Sequence, residues 1–141
     1  MSRTTPWQNL VAVSDVTNDD SDKMFAVPAG KQWVLQWIYV TLACSATVGN
    51  RAIWINIMDA ANNVIYKLYG GAVVTATNSG LFSFAPGNPD ETSFTSTYIR
   101  RSLPFPFALP GGYKIQVHDL AAVDATHDDM TVRMLVEERS E

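Results

Sequence analysis

Apolar residues in this chain recur at every second position rather than every third or fourth. Tyr113, Ile115 and Val117 alternate with Lys114, Gln116 and His118, and Met130, Val132, Met134 and Val136 repeat the pattern near the end. A spacing of two puts one set of side chains on one face of an extended strand, so these segments read as half-buried strands. Helical spacing is almost missing. Gly, Pro and Asn punctuate the runs where turns are expected. The core must therefore lie between β-sheets, and 141 residues are enough for one such domain.

The pattern predicts about eight main strands. They cover Leu10 to Ser14, Lys23 to Val27, Lys31 to Thr47, Arg51 to Asp59, Val64 to Tyr69, strand pieces at Ala72 to Thr77 and Leu81 to Phe84, Tyr113 to Asp119, and Met130 to Val136. In Lys31 to Thr47, Trp33, Leu35, Trp37 and Tyr39 share one face, while Val34, Ile38, Val40 and Leu42 share the other. Two apolar faces predict a strand that is central or covered by a partner. Ile53, Ile55 and Ile57 point to the core. Asn62-Asn63 suits the positive φ of a tight hairpin, and Gly70-Gly71 reads as a break. Ala85 to Arg101 carries Pro86, Pro89 and many polar residues, so it reads as a long contact loop.

One phrase occurs twice. Phe25 to Lys31 reads FAVPAGK and Phe107 to Tyr113 reads FALPGGY, each running into a strand. Pro ends a ladder and starts a turn, and Gly accepts positive φ. Pro110-Gly111 suits a type II turn; Pro28-Ala29-Gly30 suits a type I turn with Gly last. Each phrase is then a corner between strands. Two such corners predict pseudo-symmetric halves of an all-β fold: a single jelly-roll-like antiparallel β-sandwich. The domain spans 10–138, after an N-terminal arm of 1–9 and before a polar tail of 139–141.

Charge narrows the function. The net charge is −4, which offers no basic footprint for nucleic acid. The expectation is no nucleic-acid partner, no membrane span and no signal peptide. Cys44 is the single cysteine and reads as a small buried hydrophobe. His118, Asp119, Asp124, His127, Asp128 and Asp129 are the most metal-like cluster. Their spacing matches no EF-hand or zinc motif, and Asp in turns satisfies backbone amides unaided, so no metal or other cofactor is expected. His118 falls on an outward face, and Asp19, Asp20 and Asp22 read as a polar turn. There is no nucleophile elbow and no Gly-rich phosphate loop, so the expectation is a protein that is not an enzyme. Trp33, Trp37, Trp54, Tyr39, Tyr66 and Tyr69 read as core or subunit interface, with a sugar-stacking platform as the alternative. Arg100-Arg101 is either a solvated loop end or an ion-pair contact to a neighbouring chain.

The stretch from Val27 to Leu68, with SFAPGNPDETSF, LPFPFALPGGYKIQVHDLAAVD and DDMTVRMLVEE, resembles small structural proteins of tailed bacteriophages. The resemblance covers about Val27 to Glu138. It rests on the corner turn, the Gly49 to Arg51 turn, the Asp59 to Asn63 hairpin and the closing Asp-Asp-Met strand. It implies a virion component made in the host cytoplasm. In particular it implies a capsid decoration, or cement, protein that binds the major capsid protein as a homotrimer. Arg3, Pro6 and Trp7 of the arm, with Tyr98, Arg100 and Arg101, are the candidate contact residues. A neck, tail or fibre component shares these features, and a carbohydrate-binding module is the further alternative.

Overall fold

A computed structural model describes residues 10–90, 98–103, 108–119 and 123–141. Within them ten strands run in chain order: β1 (Leu10–Asp19), β2 (Lys23–Ala26), β3 (Lys31–Ala43), β4 (Arg51–Met58), β5 (Val64–Val74), β6 (Ser79–Pro86), β7 (Tyr98–Leu103), β8 (Ala108–Pro110), β9 (Lys114–Asp119) and β10 (Asp129–Ser140). A six-stranded sheet has the order β1-β10-β3-β6-β7, with β8 also on β3; a four-stranded sheet has the order β2-β9-β4-β5. The pairs β1·β10, β2·β9, β3·β8, β3·β6 and β4·β5 are nested like brackets and all antiparallel. The chain is thus one long hairpin whose two limbs wind together through both sheets. Its turns close on each other through β10·β3 and β9·β4. This winding is the jelly roll, and the sandwich core lies between the two sheets.

The repeated phrase marks the place where the wound hairpin changes sheet. β2 leads through Pro28 to β3, and β8 leads through Pro110 to β9. The two corners run side by side: the Val27 amide donates to Tyr113 O at 2.8 Å, and the Gly112 amide donates to Val27 O at 2.9 Å. Their turns are alike. The Lys31 amide donates to Pro28 O at 3.1 Å, and the Tyr113 amide to Pro110 O at 3.2 Å. Each Pro therefore opens its turn, and the third position is Gly30 (φ 75°) or Gly112 (φ 87°). That positive φ belongs to a type II turn, so the type I expectation at Pro28 is corrected. Phe25, at the start of its phrase, is buried in the core; Phe107 lies outside the described residues.

β3 resolves its two apolar faces by a bulge. Leu135 of β10 faces Trp37, but the next residue, Val136, faces Leu35, so Gln36 is the extra residue. An inserted residue reverses the alternation. Trp33 and Leu35 point inward before it, and Ile38, Val40 and Leu42 point inward after it; all five are buried. The strand is central, as its apolarity predicts, yet most of that apolarity faces one core. It ends at Ala43 rather than Thr47, because the Ser45 amide turns to donate to Asp128 Oδ1 at 2.8 Å.

Ile53, Ile55, Ile57, Ile115, Val117, Met130, Val132, Met134 and Val136 fill the core as predicted. Each such side chain contributes roughly 1.5–3 kcal/mol of burial. Asn62 takes φ 66° in the hairpin after β4. Gly70-Gly71 does not break the chain. β5 runs through both, and the register slips there, so that Trp54 faces Tyr69 while Ala52 faces Val73. A Cβ on Gly70 would lie 3.1 Å from Ile53 O and from the Phe82 ring, which explains glycine at this close approach.

Three segments are more ordered than expected. β1 continues to Asp19, because the buried Lys23 ammonium draws in its polar end, donating to Asp19 Oδ1 at 2.6 Å and Thr17 O at 3.1 Å. The end of the predicted loop at Ala85 to Arg101 is β7, paired parallel with β6. β10 runs two residues past Glu138, with Arg139 facing Gln32 and Ser140 facing Lys31. There the Trp33 indole donates to Glu138 Oε2 at 2.9 Å.

Candidate functional site

Two places in the sandwich gather polar and aromatic chemistry. The first is the outer face of the six-stranded sheet. The Gln36 bulge turns Trp37 and Tyr39 outward, with ring centroids 5.7 Å apart. Trp37 is 41% exposed, and its indole donates to Ser83 Oγ at 2.8 Å, which fixes the ring over β6. A cross-strand row runs Arg133–Tyr39–Ser83–Arg100, and a second runs Thr131–Thr41–Leu81–Tyr98. The Thr41 and Thr131 hydroxyls are hydrogen-bonded within that row. Tyr98 and Arg100 therefore join Trp37 and Tyr39 on one face, through a strand that the sequence does not signal.

Arg101, one residue on, points to the other side of β7. Its Nε donates to Tyr69 O at 3.2 Å, and its guanidinium lies 3.4 Å from Asp90. The strand separates the two arginines, which the sequence puts together. Arg3, Pro6 and Trp7 lie outside the described residues.

The six candidate platform aromatics do not converge. Trp33 is in the core, and Tyr66 packs against it. Trp54 and Tyr69 are paired on the outside of the opposite sheet, with centroids 5.0 Å apart and Lys67 Nζ 5.3 Å from the Trp54 ring.

The second place is one end of the sandwich, where the β1–β2, β3–β4 and β9–β10 connections meet. Arg51, the first residue of β4, is fully buried. Its Nε donates to Asp128 Oδ2 at 2.8 Å, Nη2 to Asp128 Oδ1 at 3.1 Å and Nη1 to Gly49 O at 2.8 Å. Burial pushes Asp128 up, but the Arg51 guanidinium and the Ser45 amide outweigh it and hold the carboxyl below its ordinary range.

Asp124 caps the turn before it. It accepts from Ser45 Oγ at 2.7 Å, Thr47 Oγ1 at 2.9 Å and the His127 amide at 3.2 Å, and His127 Nδ1 lies 3.1 Å away. The Ser45 hydroxyl above all holds its pKa low. Asp124 and His127 are thus engaged in turn structure, the role that the sequence suggests. His118 faces outward but is half-buried, beside its cross-strand partner Trp54 and 4.0 Å from Asp22, so it is not simply solvated.

Sequence reasoning misses Asp20. It is not an exposed turn residue but is buried with Asp119 and Asp128, a carboxylate oxygen of each lying within 4.8 Å of the others. Burial first, then the facing Asp119 carboxyl, pushes Asp20 up to about 8. Asp119 accepts from the Ala52 amide at 3.1 Å. The one available signal is the run Asn18-Asp19-Asp20-Ser21-Asp22, which does not say which acid turns inward.

No protein-family model and no curated protein matches the chain. Among solved structures it is similar to that of infectious bursal disease virus Gx strain, at 8% identity and a TM-score of 0.38, over 90% of this chain and 32% of that one. The VP2 subviral particle of the same virus gives 8% identity and a TM-score of 0.37 over the same shares. The chain thus spans about a third of the length of the solved chains it matches.

Proposed function

We propose that this chain is a non-enzymatic structural protein of a virion, and specifically a capsid decoration protein that binds the outer capsid surface where major capsid subunits meet. The carrying observation is the outer face of the six-stranded sheet, where Trp37, Tyr39, Tyr98 and Arg100 lie together on a rigid scaffold. Aromatic residues with arginine are the residue types enriched in protein interfaces, and an exposed Trp held by its own hydrogen bond loses little freedom on docking. The sequence resemblance to small structural proteins of tailed phages supports the same reading.

The test is the mass of the purified protein in solution, followed by titration onto capsid shells assembled without it. Threefold mass with saturable binding, weakened at least tenfold by Trp37→Ser or Arg100→Glu, is the expected result. A monomer that ignores the shells overturns the decoration role and redirects the search to neck and tail complexes.

A further inference from the structure

Asp20, Asp119 and Asp128 reach one point from three separate parts of the chain: the β1–β2 connection, the last residue of β9 and the residue just before β10. Their exposures are 6%, 5% and 0%. Asp128 is held by Arg51 and Ser45, and Asp119 receives the Ala52 amide. Asp20 is different. Both of its oxygens are shut off from water, and no described N–H or hydroxyl group donates to either; what faces it is the Asp119 carboxyl, with which it can only share a proton. A carboxylate buried in this way is costly unless a proton or a cation neutralises it. Lys23 does not serve, since its ammonium is taken up by Thr17 O, Asp19 and Ser21.

We propose that Asp20, Asp119 and Asp128 form a binding site for a hard divalent cation of the Ca²⁺ type. The charges fit: three carboxylates are balanced by the Arg51 guanidinium and one divalent ion. The donors fit as well. An all-carboxylate set selects Ca²⁺, Mg²⁺ or Mn²⁺ over the metals that prefer thiolate or imidazole. Arg51 donates to both Asp128 oxygens and so fixes that carboxylate, as outer partners orient ligating carboxylates. The bound ion ties the β1–β2 connection to the ends of β9 and β10.

The test is calorimetric titration of chelator-stripped full-length protein with CaCl₂, paired with thermal unfolding in CaCl₂ or in EDTA. The expected result is one ion per chain and a midpoint raised by roughly 5 °C at saturating Ca²⁺. Asp20→Asn, which keeps the side-chain volume, abolishes both effects, and its EDTA midpoint at neutral pH is at or above that of the wild type because the buried charge is gone. Wild-type protein that binds neither Ca²⁺, Mg²⁺ nor Mn²⁺ at about 10 mM, above the weak end of protein Ca²⁺ sites, overturns the proposal. So does an Asp20→Asn variant that binds as the wild type does. Should that variant fail to fold, the wild-type titration still decides.

Discussion

Replacing Arg51 by Met should be the most damaging single change at the loop end of the sandwich. Both partners of the Arg51–Asp128 pair are 0% exposed, and the Nε–Oδ2 distance is 2.8 Å. Arg51→Met keeps much of the stem but removes the donors. Asp128 then retains Ser45 alone among the described donors to it, in a pocket that already holds Asp20 and Asp119. Breaking a buried pair from one side costs about 3–5 kcal/mol, because the remaining charge is uncompensated. Domain stability is about 5–15 kcal/mol, so about a fifth of it or more is at stake. With a urea slope of about 2 kcal/mol/M, the unfolding midpoint should fall by roughly 2 M. Urea titration followed by Trp fluorescence measures this, and a double-mutant cycle with Asp128→Asn isolates the pair. The cycle should return a coupling of at least ~2 kcal/mol, since each single change removes the same bidentate contact. A loss below ~1 kcal/mol for Arg51→Met, or a coupling near zero, would refute the view that this ion pair holds the loop end together.

Gly30→Ala should cost about 1 kcal/mol through its φ of 75° alone, since a Cβ there meets nothing within 4 Å. Gly80→Ala should cost about 1–3 kcal/mol for the opposite reason, because its Cβ would lie 2.7 Å from Val74 Cγ2 and 2.8 Å from Phe82 Cε2; equal effects in chemical denaturation would show that the two mechanisms are misassigned. Removing residues 139–141 should lower stability by ~1–2 kcal/mol, because it deletes the last rungs of β10 and the bonds of Glu141 to Gly30 O and from the Gly111 amide; an unchanged midpoint would mean that these rungs contribute nothing. Acid should destabilise the protein. Asp19 is lowered to about 2, first by Lys23; Asp15 is lowered first by the Thr17 amide and Asp59 first by Asn63. Their contribution is complete above the ordinary value of 3.8 and is lost as pH falls through the lower folded values. Asp20 acts with the opposite sign: raised to about 8, it gives stability that is present below 3.8 and lost as pH rises through about 8. In EDTA the urea midpoint should therefore peak between about pH 4 and 5 and fall on both sides; a flat profile from pH 3 to 8 would contradict both assignments.

The layers of the fold were legible where a single physical signal decided the outcome. Alternation placed Ile115, Val117 and the Met130 to Val136 set correctly, because a two-residue period has only one inward face. The hairpin at Asn62 was legible because few residues tolerate positive φ. β7 was not, because Tyr98–Leu103 carries two charges in its middle and pairs parallel with β6, which a hairpin signal does not mark. The buried acidic centre was least legible. Arg51 and Asp128 lie 77 residues apart, and a sequence does not show which charged residues are brought together out of water. The Gln36 bulge lay between these cases. The inward parity changes from Trp33 and Leu35 to Ile38, Val40 and Leu42, so the phase shift is written in VLQWI, but it also reads as one strand with two apolar faces.

The repeated phrase shows how such a signal can be right about structure and misleading about symmetry. FAVPAGK and FALPGGY both build a corner, but the corners do not belong to two separate halves. They are facing points on the two limbs of one wound hairpin, in hydrogen-bond contact through Val27, Gly112 and Tyr113. Each limb must leave one sheet and enter the other at the same height, beside its neighbour, and each meets the same demand for a ladder stop followed by positive φ. Pro and Gly in that order satisfy both requirements. Similar residues therefore occur 82 positions apart because the winding puts the two limbs through one crossing. That crossing also sets the long inner strand β3 on its path, so that the bulge at Gln36 turns Trp37 and Tyr39 outward on the same face as Tyr98 and Arg100.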